Sequence, residues 1–282
     1  MKRIAVIGGG TMGTGIAYVC AQAGGAVTVV EPDAGRAEVM HKAMVEAAAG
    51  AVRRAKLSEG DAAALLARIS RVADIADLAD GLDLIVESVF EDLGLKRDIL
   101  TRAAAKQPKL LASNTSALSI DKLAEAVPDK AAFLGMHFFN PVWSLKLVEL
   151  VRGAATSDAA VETGREFAAW MGKESLVVRD IPGFATSRLD LIASLEAMRM
   201  VESGVTSAEE IDRAATLAYR HPVGPLRLSD IVGLDVRLDV ARALETAHGV
   251  RFAPPQILID MVAAGKLGVK SGEGFYSWPQ QA

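Results

Sequence analysis

Residues 4–17 read IAVIGGGTMGTGIA, in which a short β-branched run is followed by a glycine-rich turn and then by a helical pattern. The turn, residues 8–13, matches the spacing G-x-G-x-x-G. A second strand-like stretch, residues 26–31 (AVTVVE), follows the helix. Together the three segments predict a βαβ unit of about 30 residues, which is the setting in which such a turn binds the phosphates of a dinucleotide.

The positions of this turn have separate physical roles. Gly8 allows the tight turn, Gly10 lets a pyrophosphate approach the backbone, and Gly13 lets the helix pack closely on the strand. The N-terminus of the helix adds unpaired N–H groups and a favourable dipole. We therefore expect a dinucleotide cofactor to contact the turn at Gly8, Gly10, Thr11, Met12 and Gly13.

Glu31 ends the second strand of this unit and determines which dinucleotide is expected. Its carboxylate can accept hydrogen bonds from both ribose hydroxyls of NAD and would repel a 2′-phosphate, so the sequence favours NAD over NADP. Arg36 follows five residues later, and we interpret it as a solvated helix residue. A contact between Arg36 and a phosphate is the alternative.

The remaining sequence separates into two regions. A helical pattern from Asp33 to about Leu57 is followed by alternating strands and helices, with the strands at 69–72, 82–89, 109–113, 131–137, 146–151 and 175–178. This alternation predicts a doubly wound, largely parallel Rossmann-type sheet of the α/β class over residues 1–182. An all-helical C-terminal domain is predicted for residues 183–282, with helices at 184–203, 207–219, 225–247 and 255–264.

Composition narrows the kinds of partner. The formal net charge of −4 comes from charges of both signs along the chain, without a basic tail, so nucleic acid is not an expected partner. Cys20 is the only cysteine, which leaves no intramolecular disulfide and no cysteine-built metal site, and indicates a reducing, cytoplasmic location. No apolar window reaches the length of about 18 residues that a membrane span needs, so no membrane association is expected.

Residues 136–150 (MHFFNPVWSLKLVEL) contain one of the four histidines. His137 ends a predicted strand, and ligands of such sheets bind beyond the carboxyl ends of the strands. Glu149 lies within an otherwise apolar strand, and a carboxylate rarely stays buried without a partner. We expect that partner to be His137, whose second ring nitrogen could then take a proton from an alcohol, as the general base of a dehydrogenase does.

Other readings of the histidines remain open. His137 could instead be a core histidine packed where a strand meets a loop. The other three are interpreted as structural: His41 on a polar helix, His221 in a turn before Pro222, and His248 near a helix end.

A polar cluster, residues 113–116 (SNTS), follows another predicted strand and should reach the same edge of the sheet. Ser116 could donate a hydrogen bond to a substrate oxygen there. Alternatively, Ser116 or Ser119 could cap the helix that begins near Ile120, because serine is common at helix N-termini.

The end of the helical pattern from Asp33 to about Leu57 is basic, with Arg53, Arg54 and Lys56 close together. Cations there complement the negative end of the helix dipole. Binding of an anion is the alternative.

With these residues in place, the chain resembles the short-chain L-3-hydroxyacyl-CoA dehydrogenase family, which includes bacterial 3-hydroxybutyryl-CoA dehydrogenases. The resemblance covers essentially the whole chain and rests on these stretches: IAVIGGGTMGTGIA, SNTSALSI, GMHFFNPV with KLVELV, DIPGF, HPVGPLRLSDIVGLD and GVKSGEGFYSW. It implies an NAD-dependent oxidoreductase that interconverts (S)-3-hydroxyacyl-CoA and 3-oxoacyl-CoA, with short acyl chains.

The resemblance also implies roles for individual residues. It makes His137 and Glu149 the catalytic pair, with Ser116 in contact with the substrate oxygen, and it favours the anion-binding role of the basic helix end, at the CoA phosphates. The family's helical domain forms a dimer interface, so a homodimer is implied. Residues implied to lie at the cofactor are Glu91, Lys96, Ser116, Asn140 and Lys270.

One position departs from the family's pattern. Where the family has asparagine in a stretch like PGFIVNR, this chain has Ser187 in PGFATSR. That asparagine is held to position substrate or to polarise its oxygen. Ser187 could preserve a shorter hydrogen bond or mark an altered substrate preference.

Two rival functions follow from the same residues. One is a related dehydrogenase of a free hydroxy acid or sugar acid, or of a dicarboxyl acyl-CoA such as 3-hydroxyadipyl-CoA. The other is a structural protein that binds NAD without turnover, as the related lens crystallins suggest, although the presence of both His137 and Glu149 argues against it.

Overall fold

The computed structural model describes residues 1–279 of the chain. The chain divides into two compact units, Met1–Ile181 and Pro182–Ala282. Among the described residues, no helix combines the length and the apolar character needed to cross a membrane.

The first unit is built on one eight-stranded sheet in the order β3-β2-β1-β4-β5-β6-β7-β8. All neighbouring strands are parallel except β6 and β7, which are antiparallel. The predicted Rossmann-type sheet is therefore confirmed. The strands are β1 Arg3–Ile7, β2 Ala26–Val30, β3 Ile69–Val72, β4 Leu84–Glu87, β5 Leu111–Ser113, β6 Phe133–Phe138, β7 Leu147–Arg152 and β8 Glu174–Arg179.

Six α-helices accompany this sheet: α1 Thr11–Gln22, α2 Ala34–Arg53, α3 Glu59–Ala67, α4 Leu93–Ala104, α5 Ile120–Ala124 and α6 Asp158–Trp170. The central strands β1, β4, β5 and β6 consist mainly of apolar residues and are buried along almost their whole length, as expected for a sheet covered on both faces. The covering helices place the core between themselves and the sheet. The carboxyl ends of the parallel strands are thereby left as the edge at which a ligand can bind.

Helix α2 ends earlier than predicted, at Arg53 instead of about Leu57. Ala55 adopts a left-handed conformation (φ +54°), its N–H bonds to the carbonyl of Val52, and the N–H of Lys56 bonds to the carbonyl of Ala51. This is the Schellman arrangement that usually has glycine at the left-handed position. The sequence gives no signal for this end because alanine takes that place.

Cys20 lies on α1 in the core of the first unit. Its Sγ is 3.4 Å from Sδ of Met171. Burial raises the pKa of the thiol to about 12, although the charge of Lys173 acts in the opposite direction. The thiol is therefore protonated over the whole physiological range.

We expect Cys20 to resist alkylation by iodoacetamide at mildly alkaline pH in the folded protein. The reagent attacks the thiolate, and here the thiol is both protonated and buried. Mass spectrometry of the native protein should show no adduct during a period in which the same protein in concentrated urea is fully labelled. Equal labelling rates in the two states would contradict the burial of this side chain.

The described part of the second unit is built of helices, with isolated β-bridges only at residues 268–277, which confirms the predicted fold class of the C-terminal region. Its α-helices are α7 Thr186–Glu202, α8 Ala208–Ala218, α9 Pro225–Val232, α10 Leu234–His248 and α11 Gln256–Ala263. The prediction of one helix over 225–247 is wrong, because Gly233 (φ +107°) breaks it into α9 and α10. Only a glycine takes this φ without strain.

Asp230 fixes the C-terminal segment of this unit. Its carboxylate is 1% exposed and accepts hydrogen bonds from the backbone N–H groups of Phe275 and Tyr276 and from Nε1 of Trp278, each at 2.9 Å. Three donors of residues 275–278 thus bind one buried carboxylate of α9 and hold the C-terminal segment on that helix.

Candidate active site

A cavity of about 860 Å³ lies in the first unit, at the carboxyl ends of the parallel strands. Residues from the turn after β1, the end of β2, the segments after β4 and β5, and the end of β6 contribute to its wall. Predicted site residues on this wall are Gly8, Gly10, Thr11, Met12, Glu31, Glu91, Ser116, His137 and Asn140.

At two positions of the glycine turn, close packing against the backbone leaves no room for a Cβ atom. A Cβ at Gly8 (φ +108°) would lie 2.5 Å from the carbonyl oxygen of Ser88, and one at Gly13 would lie 1.9 Å from that of Gly8. Gly13 does not line the cavity itself. It lets α1 begin directly against the turn, as predicted for the third glycine of the pattern.

The N-terminus of α1 is built to accept an anion. Among the six α-helices of the fully described residues 1–181, α1 alone has no side chain capping its first turn, since its N-cap is Gly10. Its first N–H groups therefore point towards the cavity wall formed by Gly10, Thr11 and Met12 without an acceptor side chain. A phosphate of a dinucleotide would satisfy them.

Glu31 closes one end of the cavity. Its side chain is buried and accepts hydrogen bonds from the backbone N–H of Gly9 (3.1 Å) and of Asp33 (3.0 Å). Nε of Arg36 donates a third bond, at 3.1 Å. Arg36 lies on α2 with a side chain that is 55% exposed, as expected for a solvated helix residue, and its guanidinium also pairs with Glu31 and lines the cavity.

His137 and Glu149 meet as predicted. They are directly opposite each other in the antiparallel pairing of β6 and β7, and Nδ1 of His137 lies 2.8 Å from Oε2 of Glu149. Glu149 is 0% exposed and His137 is 7% exposed, with the histidine on the cavity wall. A carboxylate behind an imidazole fixes the tautomer and orientation of the ring.

The connection between β6 and β7 carries Asn140 and is held by Lys173, which sequence reasoning missed. Nζ of Lys173 donates to the carbonyl oxygens of Val142 (2.6 Å) and Leu145 (2.7 Å). Burial lowers the pKa of Lys173, an effect that the nearby Cys20 opposes. The only sequence signal was a lysine placed directly before an apolar strand.

Glu87, Lys96 and Glu91 form an ion-pair network in which Glu87 and Lys96 are buried behind the cavity and Glu91 lies on its wall. Nζ of Lys96 is 2.7 Å from Oε1 of Glu87 and 3.3 Å from Oε2 of Glu91. Oε2 of Glu87 also accepts a hydrogen bond from Ser113, at 2.6 Å. Lys96 itself is 1% exposed and does not line the cavity, so its links to the wall are Glu91 and the carbonyl oxygen of Val89, to which it donates at 3.1 Å.

Glu91 holds the turn that follows β5. Its Oε1 accepts hydrogen bonds from Oγ1 of Thr115 (2.6 Å), from the N–H groups of Ser116 (2.9 Å) and Ala117 (3.0 Å), and from Oγ of Ser116 (3.3 Å). Burial acts to raise the pKa of Glu91, but the hydrogen bond from Thr115 and the charge of Lys96 outweigh it and the pKa is lowered. Glu91 is therefore a stable anion at neutral pH.

Ser116 and Ser119 have different positions. Ser119 is the N-cap of α5 and accepts a hydrogen bond from the N–H of Lys122, at 3.2 Å. Ser116 lies on the cavity wall. The capping alternative thus applies to Ser119, which leaves the hydroxyl of Ser116 beside Glu91.

The family follows from comparison with known proteins. Family models for the 3-hydroxyacyl-CoA dehydrogenase NAD binding domain and for the 3-hydroxyacyl-CoA dehydrogenase C-terminal domain match residues 3–181 and 183–278. The chain belongs to the 3-hydroxyacyl-CoA dehydrogenase family. It is an NAD-dependent dehydrogenase, and the predictions of family, enzyme class and cofactor are confirmed.

Members of the 3-hydroxyacyl-CoA dehydrogenase family resemble this chain over its full length. A 3-hydroxybutyryl-CoA dehydrogenase of Mycobacterium tuberculosis is 40% identical over 99% of both chains. One from Bradyrhizobium diazoefficiens is 38% identical over 99% of this chain and 96% of its own. The crystal structure of (S)-3-hydroxybutyryl-CoA dehydrogenase PaaH1 from Ralstonia eutropha gives a TM-score of 0.94 at 36% identity, over 99% of this chain and 100% of that one.

The remaining predicted site residues of this family member belong to both units, and those of the first unit are not on the cavity wall. Arg53, Arg54 and Lys56 are exposed at the end of α2, where Arg53 pairs with Glu46 at 2.7 Å. In the second unit, Ser187 is in the first turn of α7. Lys270 forms an ion pair with Asp235, and the hydrogen bond from Lys270 lowers the pKa of that carboxyl.

Metal chemistry was not predicted for this site. Over residues 1–279, no group of three or more His, Cys, Asp or Glu side chains is arranged to hold a metal ion.

Proposed function

We propose that this dehydrogenase interconverts (S)-3-hydroxyacyl-CoA and 3-oxoacyl-CoA with short acyl chains. The observation that carries the proposal is the His137–Glu149 pair on the wall of the same cavity as the glycine turn. The relatives named above, 3-hydroxybutyryl-CoA dehydrogenases that match over the full length, support the acyl-CoA substrate and the short chain.

In the direction of oxidation, His137 accepts the hydroxyl proton of the substrate through Nε2. Glu149, hydrogen-bonded at Nδ1, holds the ring and balances the positive charge that the imidazole gains. NAD bound in the cavity supplies the hydride acceptor. In the direction of reduction, His137 returns the proton to the substrate oxygen, and the hydroxyl of Ser116 turns from Glu91 to donate a hydrogen bond to the same oxygen.

Cofactor contacts follow the lining of the cavity. The turn that binds the pyrophosphate consists of Gly8, Gly10, Thr11, Met12 and Gly13. Glu31 accepts hydrogen bonds from the ribose hydroxyls. Glu91, Ser116 and Asn140 line the wall that also carries His137, which supports the proposal that the nicotinamide half of the cofactor binds there. Lys96 acts by holding Glu91, and Lys270 is assigned to the cofactor by resemblance alone.

The substrate would be held by two further groups. The exposed cations Arg53, Arg54 and Lys56 are proposed to meet the CoA phosphates, because cations clustered at one helix end can bind several phosphate charges at once. Ser187 is proposed to position the substrate in place of the family's asparagine.

The two parts of the chain are assigned different tasks. Residues 1–182 are proposed as the NAD-binding domain, and residues 183–282 as the domain for substrate binding and homodimer formation. Large apolar side chains exposed on helices of the second unit support the homodimer, among them Leu189 (71%) and Leu217 (69%). We also propose a cytoplasmic location, which the single cysteine supports.

The proposed substrate class is tested by NADH absorbance with acetoacetyl-CoA and with free acetoacetate. We expect kcat/KM to be at least about tenfold higher for the thioester, because binding energy from the CoA portion is lost with the free acid. Comparable values for both substrates would indicate a free hydroxy acid dehydrogenase. Tight NADH binding without turnover on any acyl-CoA would indicate a non-catalytic protein.

A further inference from the structure

The loop of residues 139–146 joins the two strands that carry His137 and Glu149. Its first two residues, Phe139 and Asn140, lie on the wall of the cavity. The position of this loop therefore determines where both residues stand relative to the proposed proton acceptor.

The loop also packs against helix α1, which begins at the glycine turn. Val142 is 1% exposed and lies so close to Gly15 that a Cβ on this glycine would be 2.7 Å from two carbon atoms of the valine side chain. The rings of Trp143 and Tyr18 meet edge to face, with centroids 5.7 Å apart. Apolar contacts of this kind bury the loop against the helix, and its backbone polar groups then need hydrogen-bond partners inside the protein.

Lys173, which directly precedes β8, supplies such partners. Its Nζ donates to the carbonyl oxygens of Val142 (2.6 Å) and Leu145 (2.7 Å), and the residue is only 8% exposed. The next residue, Glu174, donates its backbone N–H to the carbonyl oxygen of Lys146 at 2.9 Å. An ammonium group seldom stays buried unless it is bonded, and here two carbonyl groups of one loop satisfy it.

A single cation thus fixes two points of a compact turn. The N–H groups of Ser144 and Leu145 both donate to the carbonyl oxygen of Pro141, each at 3.0 Å, so the turn begins directly after Asn140. Without the ammonium group of Lys173, two carbonyl groups of this turn would lose their donor. The turn could then shift, and Asn140 would shift with it.

We propose that Lys173 is a positioning residue for the reaction, because its ammonium group fixes the turn at residues 141–145 and thereby holds Asn140 at the nicotinamide half of the cofactor. This inference rests on the proposed function, which assigns Asn140 to that half. Lys173 does not line the cavity, so it acts through the loop and not by touching cofactor or substrate.

Calorimetric titration with NADH and with ADP-ribose, which lacks the nicotinamide, tests this role. Lys173→Met removes the donors and keeps a long side chain, so NADH should bind about threefold to tenfold more weakly, the worth of one hydrogen bond. The affinity for ADP-ribose should stay within about twofold of wild type, because the helix N-terminus at the glycine turn is unchanged. Equal weakening of both ligands would indicate a general structural defect and overturn the inference.

Turnover of acetoacetyl-CoA gives a second readout. Lys173→Met should lower kcat by about tenfold to a hundredfold, because a misplaced nicotinamide loses the geometry for hydride transfer. The same substitution in an Asn140→Ala background should lower kcat much less, since the residue through which Lys173 acts is already absent. A loss of the same size in both backgrounds would show that Lys173 does not act through Asn140.

Two further variants of Lys173 complete the series. Lys173→Arg retains a cation with several donors and should recover part of the lost kcat, whereas recovery in neither readout would contradict a role for the cation. Lys173→Gln, which keeps a shorter amide donor, replaces the methionine variant if that variant does not fold. It should likewise weaken NADH binding more than ADP-ribose binding.

Leu65→Ala supplies the control for a loss of stability. This leucine is 1% exposed on α3 and is not on the cavity wall, so the variant should unfold at lower urea concentration and keep kcat within about threefold of wild type. A fall in kcat as large as that of Lys173→Met would attribute the effect of Lys173 to stability alone. Wild type that turns over no acyl-CoA would contradict the proposed function, while the titrations, which contain no acyl-CoA, would still test Lys173.

Discussion

Replacement of His137 with alanine is expected to lower kcat by about a hundredfold to ten-thousandfold, the usual contribution of a positioned general base. The imidazole lies on the cavity wall and is held by Glu149 at 2.8 Å, so the replacement removes the proposed proton acceptor of the substrate hydroxyl. The measurement is NADH oxidation with acetoacetyl-CoA as substrate. Because His137 transfers the proton in the chemical step and does not bind the substrate in its ground state, KM should change far less than kcat.

Two matched variants give this prediction its controls. His41→Ala removes a histidine from α2, away from the cavity wall, and should keep kcat within about threefold of wild type. Glu149→Gln keeps the imidazole but removes the charge that balances it, so its kcat should fall between those of wild type and His137→Ala. A His137→Ala enzyme as active as His41→Ala would remove the histidine from the proposed chemistry.

Replacement of Lys96 with methionine is expected to lower the free energy of unfolding by about 3–5 kcal/mol, the cost of breaking a buried ion pair by removing one partner. Glu87 and Lys96 are 0% and 1% exposed, so water cannot take over the role of the missing ammonium. Glu87 would keep its hydrogen bonds from Ser113 and from the N–H of Val89 and would lose its counter-charge. Urea denaturation measures the change.

An exposed ion pair supplies the comparison for Lys96. Lys42→Met breaks the pair between Lys42 and Glu38, whose side chains are 72% and 67% exposed, and should cost less than about 1 kcal/mol. Adding Glu87→Leu to Lys96→Met should recover part of the loss, because no uncompensated charge is left. Equal costs for Lys96→Met and Lys42→Met would show that the buried pair contributes no more than a surface one.

The sequence predicted that Glu149 is a buried carboxylate with a partner, but it gave no such prediction for Glu87, although both are carboxylates in apolar strands. For Glu149 a histidine on the neighbouring strand was an obvious partner. The partner of Glu87 is Lys96, which lies on the following helix and was placed at the cofactor by resemblance. An apolar strand ending in glutamate, LIVE in β4, was the signal available.

Contacts between distant elements were the least accessible to prediction. Glu91 and the turn at 115–117 are joined only because β4 and β5 are neighbours, and strand order cannot be read from periodicity. The contact of Arg36 with Glu31 depends on the angle at which α2 leaves β2. The ends of α2 and α9 were missed for a local reason, since left-handed residues such as Ala55 and Gly233 were not recognised as helix ends.

The reversal of β7 relative to β6 has a consequence for how the reactive pair is assembled. Antiparallel neighbours can be joined by a short return, here residues 139–146, whereas a parallel neighbour requires a crossover of a dozen residues or more. His137 and Glu149 consequently lie on one contiguous hairpin. A shift of this pairing by one position would turn Glu149 towards the opposite layer of the domain and separate the pair without altering either side chain.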